Sequence, residues 1–167
     1  MSENYLVVNG KKIELTEEQV RTLELKEFKK DCFARVEKGE KYYFIYNTGD
    51  IGNAYEYEYD DKLDNDCFKV ANYCTDRKLL EQRALHETLD RLLWRFSMQN
   101  EGERIDWHNY CQEKYYIYYN YTSKKFVTVG CRCCHSLETH FYSRETARRA
   151  INEIIMPFIE EHPEFVW

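Results

Sequence analysis

Two nearly identical segments constrain the fold more than any other feature of this sequence. KYYFIYN at residues 41–47 and KYYIYYN at residues 114–120 agree at five of seven positions. Both are rich in aromatic residues, which favour β-strands. Each is followed by further strand-like sequence and then by a helix start, at Thr75 or Asp76 and at Ser143. This internal similarity predicts two copies of one unit, each with two or three antiparallel strands and a covering helix, which is an α+β arrangement.

Apolar spacing predicts the two covering helices. In both, apolar residues recur at intervals of three and four, which places them on one helical face. The first helix is expected to end near Asn100, and Pro157 is expected to kink or end the second, because proline interrupts helical hydrogen bonding. The apolar positions are Leu85, Leu89, Leu92, Leu93 and Phe96 in the first helix, and Ala147, Ala150, Ile151, Ile154, Ile155 and Phe158 in the second.

The N-terminal residues carry a separate pattern of a hairpin followed by a helix. Asn9-Gly10 between two β-rich runs suits a type I′ turn. Thr16, with Gln19 three residues later, forms a capping box for a helix over about 17–30. We therefore predict three segments packed as one compact body: an N-terminal hairpin and helix at 1–36, a first sheet-helix unit at 37–102 and a second at 103–167.

The net charge of the chain lies in one stretch. The chain has 30 acidic and 24 basic side chains, a formal net charge of -6 at pH 7. Residues 50–66 contain seven acids and one base, so the rest of the chain is neutral overall. Such a patch repels nucleic acid and attracts the basic surfaces that bind phosphate backbones.

The acidic stretch contains the alternating sequence YEYEYD at residues 55–60. In a strand, its tyrosines would lie on one face and Glu56, Glu58 and Asp60 on the other, about 7 Å apart. These carboxylates could be solvated charges that protect a sheet edge, a row that imitates phosphates for a cationic groove, or a cation site, although DDKLDND lacks the order of a calcium loop. We predict that the partner is a host protein with a basic groove. The predicted partner-binding residues are Tyr55, Glu56, Tyr57, Glu58, Tyr59, Asp60, Asp61, Asp64 and Asp66.

The segment CRCCH at residues 131–135 is the densest group of potential metal ligands. Zinc sites usually take four ligands from two separated pairs. This cluster is single, and adjacent Cys133 and Cys134 point to opposite faces if the segment is a strand. A zinc module and a redox or nucleophilic role of Cys131, Cys133, Cys134 and His135 are the alternatives. We expect reduced thiols, no bound metal and no cofactor.

Basic residues concentrate in the second unit, where residues 114–150 hold seven bases and two acids. The chain also has 15 tyrosines, which either fill strand faces or form a platform on which nucleic-acid bases stack. These two features give an alternative function, nucleic-acid binding through the second unit. The residues expected to contact nucleic acid are Lys124, Lys125, Arg148 and Arg149.

The sequence contains none of the common catalytic signatures. It lacks Gly-x-Ser-x-Gly, Walker and Gly-x-Gly-x-x-Gly motifs. His86-Glu87 is followed by Asp90, where a zinc protease has its second histidine. No apolar run is long enough to span a membrane, and the first residues do not form a signal-peptide pattern. We therefore expect a non-enzymatic protein in the cytoplasm, without membrane contact.

Four phrases of the sequence resemble a known group of proteins: KGEKYYFI, NYxT before a helix, IDWxxxxQxKYYIYY and FYSxExAxxAI. Over residues 37–156 the chain is similar to small proteins encoded by bacteriophages and mobile elements of low-GC Gram-positive bacteria. Cys74, where an aromatic residue is expected, and the acidic stretch depart from that pattern. The resemblance implies a phage accessory protein that inhibits a host defence protein, such as a CRISPR effector, by binding it. We expect its acidic surface to imitate nucleic acid, and the resemblance assigns no catalytic residue.

Overall fold

The computed structural model describes residues 5–8, 11–16, 18–19, 31–48, 55–100, 102–133 and 138–167. Within these residues the fold belongs to the predicted α+β class. The strands are β1 (Tyr5–Val8), β2 (Lys11–Glu14), β3 (Lys41–Tyr43), β4 (Tyr55–Tyr57), β5 (Lys114–Asn120) and β6 (Lys125–Cys131). The helices are α1 (Lys62–Lys69), α2 (Arg77–Asn100), α3 (Arg144–Ala150) and α4 (Met156–Glu161), and a π-helical turn over Ile151–Ile155 joins the last two. None of the helices in these residues has the length and apolar composition needed to cross a membrane.

The chain divides into two units, Met1–Ala34 and Arg35–Trp167. In the first, β1 and β2 form the predicted antiparallel hairpin. The predicted capping box is also present, because the N–H of Gln19 donates to Oγ1 of Thr16 at 3.3 Å and the N–H of Thr16 donates to Oε1 of Gln19 at 2.9 Å. The predicted turn and most of the predicted helix over 17–30 lie outside the described residues. The division into three segments stays a prediction.

In the second unit, each of the two similar segments contributes a strand with a partner on both sides. β3 pairs antiparallel with β4 and forms a single bridge between Tyr43 and Cys74. β5 pairs antiparallel with β6 and forms a single bridge between Tyr115 and Phe141. The registers differ by one residue, since Tyr43 is third in its segment and Tyr115 is second in its own. The equivalence of the two parts stays a prediction, which superposing them tests.

A capped helix follows each bridge. Oδ1 of Asp76 accepts from the N–H of Leu79 at 3.2 Å, and Oγ of Ser143 accepts from the N–H of Thr146 at 3.0 Å. These bonds satisfy amide groups that the first turn of a helix leaves without a partner. In both cases the cap lies two residues after the bridge, so the strand and helix are joined in the same way.

Two apolar clusters form the core of this unit. The apolar face of α2 was predicted to cover the β3–β4 sheet. It packs instead with β5, α3 and α4 in the larger cluster. The β3–β4 sheet is covered instead by the shorter α1. Helix α1 lies in a stretch that the sequence predicts to be strand and loop. The larger cluster contains Leu89, Leu93, Phe96, Ile117, Phe141, Ala147, Ala150, Ile155 and Phe158, and the smaller one contains Tyr42, Phe44, Cys67 and Tyr73.

The last helical stretch continues past Pro157. A proline ring inside an α-helix clashes with the carbonyl four residues earlier. Here the wider π-helical turn ends immediately before it, with the N–H of Met156 bonded to the carbonyl of Ile151. Helix α4 then runs to Glu161, so the prediction that Pro157 ends the helix is wrong, and the alternative that it kinks the helix stays a prediction.

Candidate binding surfaces

The predicted acidic row does not form an outward-facing ladder. Glu56 lies opposite Tyr42 in the β3–β4 register, and the ring of Tyr42 is buried. Glu58 follows on the same face and is 2% exposed, and Asp64 is 0% exposed. The prediction that Glu58 and Asp64 contact a partner from the surface is therefore wrong. Alternation determines which residues share a face, but not which face points inward.

Four hydrogen bonds hold the carboxylate of Glu58. Arg35 donates from Nε to Oε2 at 3.1 Å and from a terminal nitrogen to Oε1 at 2.8 Å. The hydroxyl of Tyr73 donates to Oε2 at 2.9 Å, and the N–H of Asp60 donates to Oε1 at 2.8 Å. The bonds from Arg35 act most strongly against the effect of burial, and together these donors hold the pKa of Glu58 below its usual value. Glu58 is thus an ionised structural residue.

Asp64 joins the same network from the start of α1. It accepts from the hydroxyl of Tyr42 at 2.7 Å and from the N–H groups of Tyr59 and Asp61 at 2.8 and 3.1 Å. In return its own N–H donates to Asp61 at 3.0 Å, which completes a capping box. Burial pushes the pKa of Asp64 upward, but these bonds outweigh it and keep the pKa below the usual value. The rings of Tyr42 and Tyr73 stack 4.0 Å apart and connect the two carboxylates.

The other predicted partner-binding residues are nearer to solvent. Asp60 forms an ion pair with Arg35 at 3.0 Å, and Asp66 forms one with Lys62 at 2.5 Å. The acidic surface therefore offers fewer free carboxylates than the sequence predicts. Glu56 and Tyr57 are half-buried, Tyr59, Asp60, Asp61 and Asp66 are exposed, and the side chain of Tyr55 lies outside the described part of the chain.

The cysteine cluster is described only in part. Cys131 ends β6 and is disulfide-bonded, whereas Cys133 is an exposed free thiol. The prediction of reduced thiols is therefore wrong for Cys131, and Cys134 and His135 lie outside the described residues. Within the part of the chain that the structure describes, no three His, Cys, Asp or Glu side chains are grouped to hold a metal ion. That the full cluster binds no metal stays a prediction.

A cleft of about 710 Å³ lies between the β5–β6 hairpin and the C-terminal helices and tail. The ring of Tyr121 meets that of Tyr119 edge to face at 5.1 Å, and Phe126 meets Trp167 in the same way at 4.8 Å. The hydroxyl of Tyr121 donates to the backbone oxygen of Trp167 at 2.7 Å, so the hairpin tip is tied to the tail. The remaining apolar and amide side chains of the cleft are Ile151, Asn152, Met156, Ile159, Phe165 and Val166.

Cationic side chains lie at this aromatic cleft. Lys124 and Lys125 line it and are exposed, and Lys124 has a φ of +52°, in the left-handed region. Arg148 is exposed on α3, about one helical turn before Asn152, which lines the cleft. Within the described residues these three cations form no ion pair. The cleft thus combines stacking surfaces with free positive charge.

Two other basic side chains of the predicted second sheet-helix unit already bind groups within the protein. Arg149, predicted to contact nucleic acid, pairs with Glu153 at 2.8 Å. Lys114 is buried, and its Nζ donates to the carbonyls of Asn109 and Gln112 at 3.1 Å each. The basic surface is therefore smaller than the sequence suggests, and Lys124, Lys125 and Arg148 are the cations that lie at or near the cleft.

Comparisons of the chain with known protein families, curated proteins and solved structures found no match. The geometry alone therefore supports an argument about function. The sequence pointed to the lysines and to a tyrosine platform, but Phe126, Phe165 and Trp167 were missed. Phe126 lies 39 positions before Phe165 in the chain, and no periodic pattern links the tail to the hairpin that it meets.

Proposed function

We propose that the protein is a non-enzymatic nucleic-acid-binding protein that holds single-stranded DNA or RNA in the aromatic cleft of its second unit. The observation that carries this proposal is the cleft itself, in which Tyr119, Tyr121, Phe126 and Trp167 lie beside Lys124 and Lys125. Aromatic side chains combined with a positively charged groove are the usual means of binding single strands without sequence preference.

Two physical terms would contribute to binding. Each base that stacks on an aromatic ring contributes about 1–3 kcal/mol. Each phosphate neutralised on a single strand adds about -0.7 to the slope of log affinity against log salt. If Lys124, Lys125 and Arg148 each contact one phosphate, the expected slope is about -2. Single strands are favoured over duplex because their bases are free to enter a cleft.

Fluorescence anisotropy with a labelled 12-nucleotide oligothymidine or oligouridine tests the proposal. The variant Lys124→Gln/Lys125→Gln/Arg148→Gln should bind at least about tenfold more weakly, with a salt slope near zero. Tyr121→Ala should also weaken binding but leave the salt slope unchanged, because it removes stacking and no charge.

A control variant removes the same number of charges elsewhere. Lys69, Arg77 and Arg83 are exposed on α1 and α2, and changing all three to Gln alters the net charge equally. This variant should bind nearly as the unchanged protein does. If it loses as much affinity as the cleft variant, binding depends on overall charge and the proposed site is wrong.

A second candidate function is inhibition of a nucleic-acid-handling host protein, such as a CRISPR effector, by a phage-type acidic surface. It is favoured by three exposed carboxylates at α1: Asp60 and Asp61 directly precede the helix, and Asp66 lies in its second turn. Since Glu58 and Asp64 are internal, this surface is smaller than the predicted one. Neutralising Asp60 and Asp66, but not the capping residue Asp61, should reduce binding to a protein with a basic groove, and equal binding by that variant would reject this candidate.

A further inference from the structure

A second pocket, of about 360 Å³, is lined by α2 and by residues around Trp107 and His140. Three of its large apolar side chains are exposed: Trp94 by 60%, Met98 by 46% and Trp107 by 40%. Trp94 and Met98 lie one turn apart on α2. Exposed aromatic side chains that converge on one pocket are typical of a binding site.

One side chain that lines this pocket has an unmet hydrogen bond. His140 is 6% exposed, and its Nδ1 lies 2.8 Å from the carbonyl oxygen of Glu138. Because a carbonyl only accepts, Nδ1 carries the proton, and Nε2 of the neutral ring is an acceptor. Nε2 is buried and has no partner among the described residues. A buried acceptor without a donor costs about 1–3 kcal/mol.

Carboxylates outnumber cationic side chains around the pocket. Asp90 and Glu138 contribute carboxylates, and Arg104 is the single cationic side chain among the described residues that line the pocket. The hydroxyl of Thr139 already donates to Oδ1 of Asp90 at 2.7 Å. A ligand that matches the site is therefore rich in donors, carries positive charge and has a face that packs on indole.

We propose that this pocket binds an arginine side chain of a protein partner. A guanidinium group has five N–H donors and no acceptor, is planar, and stacks on aromatic faces. A cation over an indole ring gains a further electrostatic attraction. A phosphate or carboxylate ligand would instead face Asp90 and Glu138, and a purely apolar ligand would leave these two carboxylates without a counter-charge. The site is separate from the aromatic cleft and does not depend on nucleic-acid binding.

NMR of the full-length ¹⁵N-labelled protein tests this proposal, because the indole N–H signals of Trp94, Trp107 and Trp167 report on the two sites separately. The probe is N-acetyl-arginine methylamide, and the control is the citrulline analogue, which is nearly isosteric but neutral and has an acceptor oxygen. We expect the Trp94 and Trp107 signals to shift and saturate with the arginine probe, while Trp167 stays in place. The citrulline analogue should bind at least about fivefold more weakly.

Charge variants locate the site. Asp90→Asn and Glu138→Gln should each weaken binding of the arginine probe by about three- to tenfold, whereas Glu145→Gln, which removes an exposed charge from α3, should not change it. Trp94→Ala should abolish saturable binding, and because Trp94 is exposed the fold should remain intact. Equal binding of the citrulline analogue, shifts that never saturate, or an equal response to methyl glucoside would overturn the proposal.

Discussion

Two buried carboxylates, Glu58 and Asp64, link the β3–β4 sheet by hydrogen bonds to α1 and to the segment at Arg35. We predict that Glu58→Gln lowers the free energy of unfolding by about 2–4 kcal/mol. The substitution removes the buried negative charge to which two N–H groups of Arg35 donate. Urea unfolding measures this change. Asp66→Asn is the control, since its exposed ion pair with Lys62 contributes less than about 0.5 kcal/mol. Equal stabilities of the two variants would show that the network does not hold the sheet.

The same residues predict how stability depends on pH. The pKa values of Glu58 and Asp64 are lower in the folded protein than their usual values. Their contribution is therefore complete above the unfolded-chain pKa values of about 4, and it is lost as the pH falls through the lower folded values. Unfolding free energies measured at pH 7, 5, 4 and 3 should change little between pH 7 and 5 and should fall below about pH 4. The fall should be shallower in Glu58→Gln, and an unchanged profile in that variant would contradict the assignment.

The sequence indicated some of these residues but gave them the wrong role. The alternation of tyrosine and carboxylate at 55–60 is real, and it does place Glu56 and Glu58 on one side of the chain. Arg35 is 23 positions away from Glu58. No local sequence pattern indicates that Arg35 pairs with this buried carboxylate. Without that partner, a carboxylate is reasonably assigned to the surface. Long-range pairing was thus the missing information.

The β5–β6 hairpin places Lys124 at the cleft. The backbone of Lys124 is in the left-handed region, with a φ of +52°. A side chain in that region costs roughly 1 kcal/mol, which glycine avoids. Lys124→Gly should therefore leave the unfolding free energy unchanged or raise it by up to about 1 kcal/mol, while it weakens binding to single strands and makes the salt slope shallower by about 0.7.

Lys125 gives the matched comparison for that prediction. It lies in β6 opposite Asn120, where glycine should lower stability by about 0.5–1 kcal/mol and also remove a charge. Thermal unfolding and anisotropy on the two variants separate strain from binding. If Lys124→Gly is the less stable variant, or if it binds as strongly as the unchanged protein, the role assigned to the hairpin tip is wrong.

Elements were predicted from the sequence with uneven success. Strand starts at Lys41 and Lys114, the cap at Ser143 and the end of α2 at Asn100 follow from local signals, and the structure contains them. Helix α1 was missed because its sequence, KLDNDCFK, is mostly polar and buries only Asp64 and Cys67. The partner of the α2 apolar face was also missed, because periodicity shows that a face is buried but does not identify what it packs against.

The chain as a whole divides so that Arg35–Trp167 makes its contacts mainly within itself and forms one compact unit. We predict that residues 35–167, expressed without the first 34, unfold in one cooperative transition and keep the affinity for single strands. The reason is that both apolar clusters and the Glu58 network lie within these residues. Calorimetry checks the fold and anisotropy checks binding. A fragment that starts at residue 45 lacks Tyr42 and should not fold cooperatively; if the longer fragment fails in the same way, the unit is not autonomous.

Photo-cross-linking of the protein to an oligonucleotide that carries 5-iodouracil, followed by mass spectrometry of the linked peptide, shows directly which residues contact a bound single strand. Excited iodouracil reacts with aromatic side chains that stack on it, so the linked residue identifies the contact. We predict cross-links at Tyr119, Tyr121, Phe126 or Trp167, and their loss when unlabelled single strand is added in excess. Cross-links confined to tyrosines at 55–59 or to Trp94 and Trp107, or a yield that excess single strand does not reduce, would contradict the claim that this cleft binds nucleic acid.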